Sequence, residues 1–308
     1  MKNYPKSHFI GQKDSIYKWI LNRIDISYST VLDLFGGSGL MSAAFRSMGK
    51  NLIYNDIMKC FQFINSGLLR STKVDKINIS SLNSLWDNSL KNQRSYAFEV
   101  YKDLYFFEDE CVWIDKVITN IMQSNYSSNT KGILFFALYQ TCLMKRPFNS
   151  FHRSFLNLRL KKRENYQIWD KSMEDIFIDS IHEVNNYLES IDVQTELIPI
   201  FGITASEAKP EIFNKERIDL LYLDPPFISG SKRSRKYGNY FMNYHVLESL
   251  ANYESFTSWL DLNHLLKLPK QDHPLMKEIE KWLTKDLFLE NLEKIISQFQ
   301  ESIIVFSY

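Results

Sequence analysis

Apolar positions follow two different periods along the chain, and the change from one to the other divides it. Near the N-terminus two short runs, Val31-Leu32-Asp33-Leu34 and Leu52-Ile53-Tyr54-Asn55, have the length of buried strands. Between them Leu40, Ala43, Ala44 and Met48 recur at helical spacing, and Gly49 stands where a helix C-cap is expected. Strand-like runs return late, at Ile218 to Leu223 and at Ser302 to Tyr308. The stretch between is helical in period. Trp113, Val117, Ile118, Ile121 and Met122 share one face, as do Ile176, Phe177, Ile181, Val184, Tyr187, Leu188 and Ile191. Between Leu68 and Leu197 there is one glycine, Gly132, and one proline, Pro147, so few breakers interrupt these helices. Gly132 to Met144 is too short to span a bilayer and predicts a buried helix. The pattern predicts an α/β domain formed by 1–72 and 195–308, with a largely helical insertion over 73–194.

Two loops at strand ends carry candidate chemistry. The first strand runs into Phe35-Gly36-Gly37-Ser38-Gly39, where glycines let the backbone turn sharply and approach a ligand. Phe35-x-Gly37-x-Gly39 is shorter than the dinucleotide fingerprint and has Asp33 just before it. A carboxylate there suits the cationic amino group of S-adenosylmethionine better than a diphosphate. The second strand ends in Asp56, where a nucleoside-binding unit holds ribose hydroxyls. A tight turn without ligand is the plainer reading of the loop taken alone.

The late run Ile218 to Leu223 ends in Asp224-Pro225-Pro226-Phe227. Two prolines stiffen the turn and remove two N–H donors, leaving carbonyls to face outward. A carboxylate, such carbonyls and an aromatic face suit a planar ring with an exocyclic amine, as in adenine. An Asp-Pro-Pro turn by itself is often only a loop. The N-terminal segment Phe9-Ile10-Gly11-Gln12-Lys13 adds a lysine ahead of a helical stretch.

Together these pieces resemble the Dam-like DNA adenine-N6 methyltransferases of the alpha group, in the order lysine motif, glycine loop, long insertion, Asp-Pro-Pro-Phe. Lys145-Arg146-Pro147-Phe148-Asn149 with Phe155-Leu156-Asn157, and Tyr240 to Glu248, are similar to two further segments of that family. The resemblance implies a Rossmann-like methyltransferase sheet with an inserted DNA-recognition domain. It implies that Phe9, Lys13, Asp33, Phe35, Gly37, Gly39 and Asp56 bind S-adenosylmethionine, with Lys13 beside its carboxylate and Asp56 on the ribose. Asp224 and the Pro225 carbonyl would take the target amine, Pro226 would stiffen the turn, and Phe227 would stack on an extruded base. No metal is required by such chemistry. One departure stands out: where the family carries an acid toward the cofactor's adenine, this chain has Thr204. Thr204 accepts that amine with its hydroxyl, or Glu207 substitutes, or affinity is lower.

Composition narrows the partners. Net charge is +1, so DNA binding has to come from local charge. From Lys145 to Arg163 there are seven Lys/Arg and no acid. Lys145, Arg146, Asn149, Arg153, Asn157 and Arg159, with Lys232, Arg233 and Arg235 after the Asp-Pro-Pro loop, are the candidate DNA contacts; a solvated face is the alternative. Three scattered cysteines argue against a structural zinc site and for a reducing cytoplasm. The 308 residues suffice for about two domains. The final strand ends the chain where a methyltransferase sheet normally continues, which suggests truncation or completion by a partner chain. Expected partners are double-stranded DNA, a cognate restriction endonuclease or that completing chain, and no membrane. The competing readings are another amine acceptor (RNA adenine, cytosine N4 or protein glutamine) and a non-catalytic DNA-binding subunit.

Overall fold

A computed structural model of the chain describes residues 3–86, 95–161, 167–191, 197–213, 217–226 and 240–307. Its centre is a sheet of five strands: β1 (Thr30–Asp33), β2 (Asn51–Asn55), β3 (Ile200–Phe201), β4 (Leu220–Leu223) and β5 (Ile303–Phe306). Their spatial order is β3-β2-β1-β4-β5 and every pairing is parallel. Every residue of β1 and β4 is buried, which is why Val31-Leu32 and Leu220 to Leu223 are apolar without alternation.

The register levels the strand ends. Asp33 pairs with both Tyr54 and Tyr222, so β1, β2 and β4 stop along one line. Asp56 and Asp224 each follow their strand directly. From β1 the sheet grows outward to β2 and β3 on one side and to β4 and β5 on the other. Loops on the two sides diverge at such a switch point and leave a crevice at the carboxyl edge.

Helices α1 (Tyr17–Asn22), α2 (Leu40–Ser47) and α3 (Lys59–Leu68) surround the first two strands in sequence. The middle of the chain forms α4 (Asn83–Trp86), α5 (Tyr96–Tyr101), α6 (Glu108–Gln123), α7 (Ser128–Met144), α8 (Leu156–Lys161) and α9 (Met173–Ser190). The chain then runs through α10 (Tyr240–Ala251), α11 (Phe256–Trp259), α12 (Pro274–Leu283) and α13 (Lys285–Gln298) into β5. Among the described residues no helix is long and apolar enough to cross a membrane.

Alternate residues of the strands feed two cores, as the period of two requires. Leu32, Ile53, Leu221 and Leu223 pack with Ala205, Phe213, Trp282, Phe288 and Ile295. Val31, Leu52, Tyr54, Leu220 and Tyr222 pack with Ile20, Met41 and Phe45. A third core runs through α3, α5, α6, α7, α9 and α10. The helical region thus differs from its flanks in period while sharing a core with α3 and α10. Glu248 of α10 strengthens the join: its buried carboxylate accepts from the Lys59 and Cys60 amides at 3.1 and 2.8 Å, capping the open start of α3.

β3 is only two residues long, and the Asn55 side chain takes over beyond it. The Asn55 side chain accepts from the Ile203 amide at 2.9 Å and donates to the Ile203 and Leu34 carbonyls at 3.0 and 2.9 Å. A side chain therefore takes over where strand pairing would have continued, and the backbone turns into a 3₁₀ segment at Ala205–Glu207.

Helices α3 and α7 cross in backbone contact. A Cβ on Gly132 would sit 2.5 Å from both the Gly67 nitrogen and the Phe63 carbonyl oxygen. Gly132→Ala is expected to cost about 1–3 kcal/mol through overpacking. A lower urea midpoint at an unchanged m-value would register it.

Candidate active site

The glycine loop after β1 is clamped through its carbonyls. Tyr54 and Asn65 donate to the Gly37 carbonyl at 2.7 and 2.9 Å, and Tyr4 donates to the Ser38 carbonyl at 2.6 Å. Gly36 lies against the Tyr54 ring, so closely that a Cβ would come within 2.1 Å of it. Gly37 and Gly39 hold φ of 48° and 81°, a region L side chains rarely enter. With its carbonyls engaged, the loop turns the Gly37 amide toward Asp56, which accepts from it at 2.8 Å. Asp56 also accepts from the Met58 amide at 2.8 Å.

One cavity at the carboxyl edge gathers Phe9, Lys13, Asp33, Phe35, Gly37, Asp56, Asp224, Pro225 and Pro226. The structure does not bring every expected residue there. Gly39 stands behind the cavity as the N-cap of α2, against Asn65 and Tyr4. Thr204 is passed over for its neighbours Ile203 and Ala205, and Glu207 is exposed. Phe227 lies outside the described residues.

The electrostatics are those of a crowded, desolvated acid cluster. Burial pushes Asp33 up to about 7, against the hydrogen bond from Ser42 and with repulsion from Asp224 and Asp56 adding to it. Burial likewise pushes Asp56 up to about 7, opposed by the two amides it accepts from. One oxygen of Asp33 takes the Ser42 hydroxyl at 2.7 Å, while the other is buried without a partner. Asp224 is raised by burial and held down by Lys13, whose ammonium meets it at 2.7 Å. Tyr244 fixes the segment that presents Lys13, since its hydroxyl bonds both the amide and the carbonyl of Ile10.

Asn243 lines the cavity from within the Tyr240 to Glu248 segment, and three further lining residues, Glu278, Ile279 and Trp282, fall outside every sequence motif. Asn243 of α10 accepts from Ser150 at 2.6 Å. Glu278, Ile279 and Trp282 of α12 close the side nearest β3, with Trp282 edge-on to Phe35 at 4.9 Å between centroids. Their only sequence signal is an amphipathic helical face, which any surface helix shares.

The basic segment after α7 divides in two. Lys145, Arg146 and Arg159 are buried, so the DNA-contact reading of these three is corrected to a structural one. Arg159 forks onto Glu110 at 2.8 and 2.5 Å, and Lys145 reaches the same carboxylate at 3.5 Å. Arg146 donates to the carbonyls of Tyr105, Ser150, Arg153 and Ser154. It thereby supports a loop in which Phe148, Asn149 and Phe155 all hold positive φ. Arg153 and Asn157 are exposed, as is Phe148 at 69%, and Asn149 is half-buried beside His8. Lys232, Arg233 and Arg235 lie outside the described residues.

A parallel sheet in this order, with a glycine loop after β1 and the cavity beyond it, is a Rossmann-like methyltransferase fold. Residues 9–261 match the D12 class N6 adenine-specific DNA methyltransferases, and the chain belongs to that family. It is an enzyme that methylates adenine N6 in DNA, and membership implies S-adenosylmethionine as methyl donor. The chain is 23% identical over 289 residues to the Type II methyltransferase M2.HphI of Haemophilus parahaemolyticus, covering 91% of this chain and 82% of that protein. No solved structure matches.

Raised carboxylates make a signed prediction. Between roughly pH 4 and 7 the folded protein holds protons on Asp33 and Asp56 that the unfolded chain has released, so their contribution to stability falls as pH rises through that window. Asp33→Asn is expected to stabilise the ligand-free fold by on the order of 2 kcal/mol at pH 8. The gain should shrink toward zero near pH 4, as compared by chemical unfolding at both pH values.

Proposed function

We propose that the cavity holds S-adenosylmethionine along the sheet edge and presents an extruded adenine of double-stranded DNA to Asp224. The observation that supports this is an ordering. Moving across β4, β1, β2 and β3, the chain places Asp224, Asp33, Asp56 and then Ile203 with Ala205 on the cavity wall. Three strand spacings of about 4.8 Å span roughly 14 Å, the scale of an extended nucleoside bearing an amino-acid tail.

The residues fit such a donor. Asp33 has a buried oxygen with no partner, suited to an ammonium group. Asp56 is fixed by two amides and retains acceptor capacity for ribose hydroxyls. Ile57, Ile203, Ile279 and Trp282 offer apolar surface to a purine. Phe9 lines the same space, and the Gly36–Gly37 backbone supplies a wall without side chains. Bound there, the donor supplies a methyl group already activated on a sulfonium.

The remaining task belongs to the protein. Adenine N6 is a weak nucleophile because its lone pair is delocalised into the ring. Asp224 and the Pro225 carbonyl accept its two hydrogens, which favours a pyramidal nitrogen, and the carboxylate stabilises the positive charge that develops there. Lys13 opposes the upward push that burial gives the Asp224 carboxyl. On this reading Lys13 serves the catalytic acid ahead of the donor's carboxylate. Phe227 stacks on the base, whose extrusion costs a few kcal/mol.

DNA is met by the exposed part of the basic loop, through Arg153, Asn149 and Asn157, with Phe148 beside them. The Ser150–Asn243 hydrogen bond ties that loop to the cavity rim. Lys232, Arg233 and Arg235 follow Pro226 in the chain and serve the flanking phosphates. The likeness to a Type II methyltransferase supports a role in restriction–modification, with a cognate endonuclease acting at the same sites.

Labelled methyl transfer to unmethylated duplex, followed by digestion to nucleosides, tests the reading. N6-methyladenine is expected from the wild type. Asp224→Ala should lose turnover by at least about 10²-fold while keeping S-adenosylmethionine affinity within a few-fold. Loss of donor binding in that variant would move Asp224 out of the acceptor role.

A further inference from the structure

This chain has Thr204 where the family carries an acid, and the cavity has another carboxylate, delivered from elsewhere in the chain. Thr204 stands at the expected position and does not line the cavity, and Glu207 nearby is exposed. Glu278 lines it instead, from α12, which lies beyond the residues matched to the family. The buried face of α12 carries Leu275, Glu278, Ile279 and Trp282, so the carboxylate arrives in the same turn as two apolar side chains of the cavity wall.

Glu278 is also well fixed. It is 6% exposed, and its carboxylate accepts from the Ser206 amide at 3.4 Å, the Ser206 hydroxyl at 3.1 Å and Lys281 at 2.7 Å. An ionised carboxylate has about four acceptor positions, so these three partners leave capacity for one more donor. Lys281 supplies the neutralising charge from outside, being 40% exposed. The sheet order decides which donor that is. Asp224, Asp33 and Asp56 belong to β4, β1 and β2, whereas Glu278 packs on Ser206, in the turn that follows β3. It therefore sits at the end of the cavity farthest from Asp224, beside Ile203, Ala205 and Trp282.

We propose that Glu278 accepts a hydrogen bond from the exocyclic amine of the methyl donor's own adenine, replacing the acid absent at Thr204. This rests on the reading of the cavity as the S-adenosylmethionine site. A carboxylate at that point selects the 6-amino purine, because a 6-oxo purine would set its oxygen lone pairs against the carboxylate. Ser206 and Lys281 hold the carboxylate in place, and Trp282 against Phe35 docks the helix that carries it.

The test is calorimetric and needs no turnover. S-adenosylhomocysteine and its 6-oxo counterpart, S-inosylhomocysteine, are titrated into wild type, Glu278→Gln and Glu207→Gln. Wild type is expected to prefer the amino ligand by roughly 10²-fold or more. Glu278→Gln should reduce that preference at least about tenfold, since an amide can donate to the 6-oxo group as well as accept from the amine. Glu207→Gln should leave the preference within about twofold of wild type. A Glu278→Gln variant that weakens both ligands equally, leaving the ratio unchanged, would make Glu278 merely structural and overturn the proposal. Loss of discrimination in Glu207→Gln would assign the contact to Glu207 instead. Failure of wild type to bind S-adenosylhomocysteine at all would instead overturn the donor-site reading beneath it. If Glu278→Gln does not fold, Ser206→Ala keeps the carboxylate but loosens it, and the preference should then fall part of the way; an unchanged preference counts against the proposal.

Discussion

An ion pair between residues 211 positions apart, Lys13 and Asp224, organises this molecule. Asp224 closes the central strand pair β1–β4 at the edge where the sheet opens, and it is largely withdrawn from water. Burying a carboxylate alone is costly, and the usual outcome is protonation. The ammonium of Lys13 opposes that outcome, and Tyr244 in turn holds the segment carrying Lys13. The N-terminal segment is thereby fastened over the carboxyl edge, with Phe9 packed between Phe61 and Tyr244. The same tie aligns three separate parts of the chain: the start, the Asp-Pro-Pro turn and α10.

Asp33 and Asp56 follow a related logic without a cation. Asp56 is stabilised by backbone amides of the glycine loop and of the turn into α3, and Asp33 by a single hydroxyl. Burial leaves both with a raised pKa. Glu278 is held by Ser206 and Lys281. A row of acids, each held differently, therefore lines one edge of the sheet. Their separation follows from strand spacing, not from any local contact between them.

Much of this was legible in sequence because parallel strands are buried on both faces. The centres of β1, β2 and β4 appear as short apolar runs, and the candidate acids Asp33, Asp56 and Asp224 end or directly follow those strands. The glycine loop was legible because positive φ and close approach to Tyr54 leave glycine little competition. Other parts were not, for physical reasons. Charge density gave no means of telling Arg146 and Arg159 from Arg153, since the direction of a side chain depends on its partner: Glu110 lies 49 residues from Arg159. Those buried cations shape the loop whose exposed members face outward. Glu278 and Trp282 arrive from a helix about seventy residues beyond the strand they serve, at a spacing no motif records. Beyond the short β3 the Asn55 side chain takes over from the strand ladder, in a way composition does not reveal. The period change near residue 72 was visible, yet the Gly67–Gly132 contact joins the two sides into a common core.

The pH dependence of single-turnover methyl transfer, compared between wild type and Lys13→Gln with saturating donor and duplex, tests the central claim most directly. If Lys13 keeps Asp224 ionised, its removal should shift the acid limb of the profile upward by about one unit or more, with donor affinity kept within a few-fold. An unmoved limb together with collapsed donor affinity would contradict the account, and would return Lys13 to the carboxylate of the methyl donor.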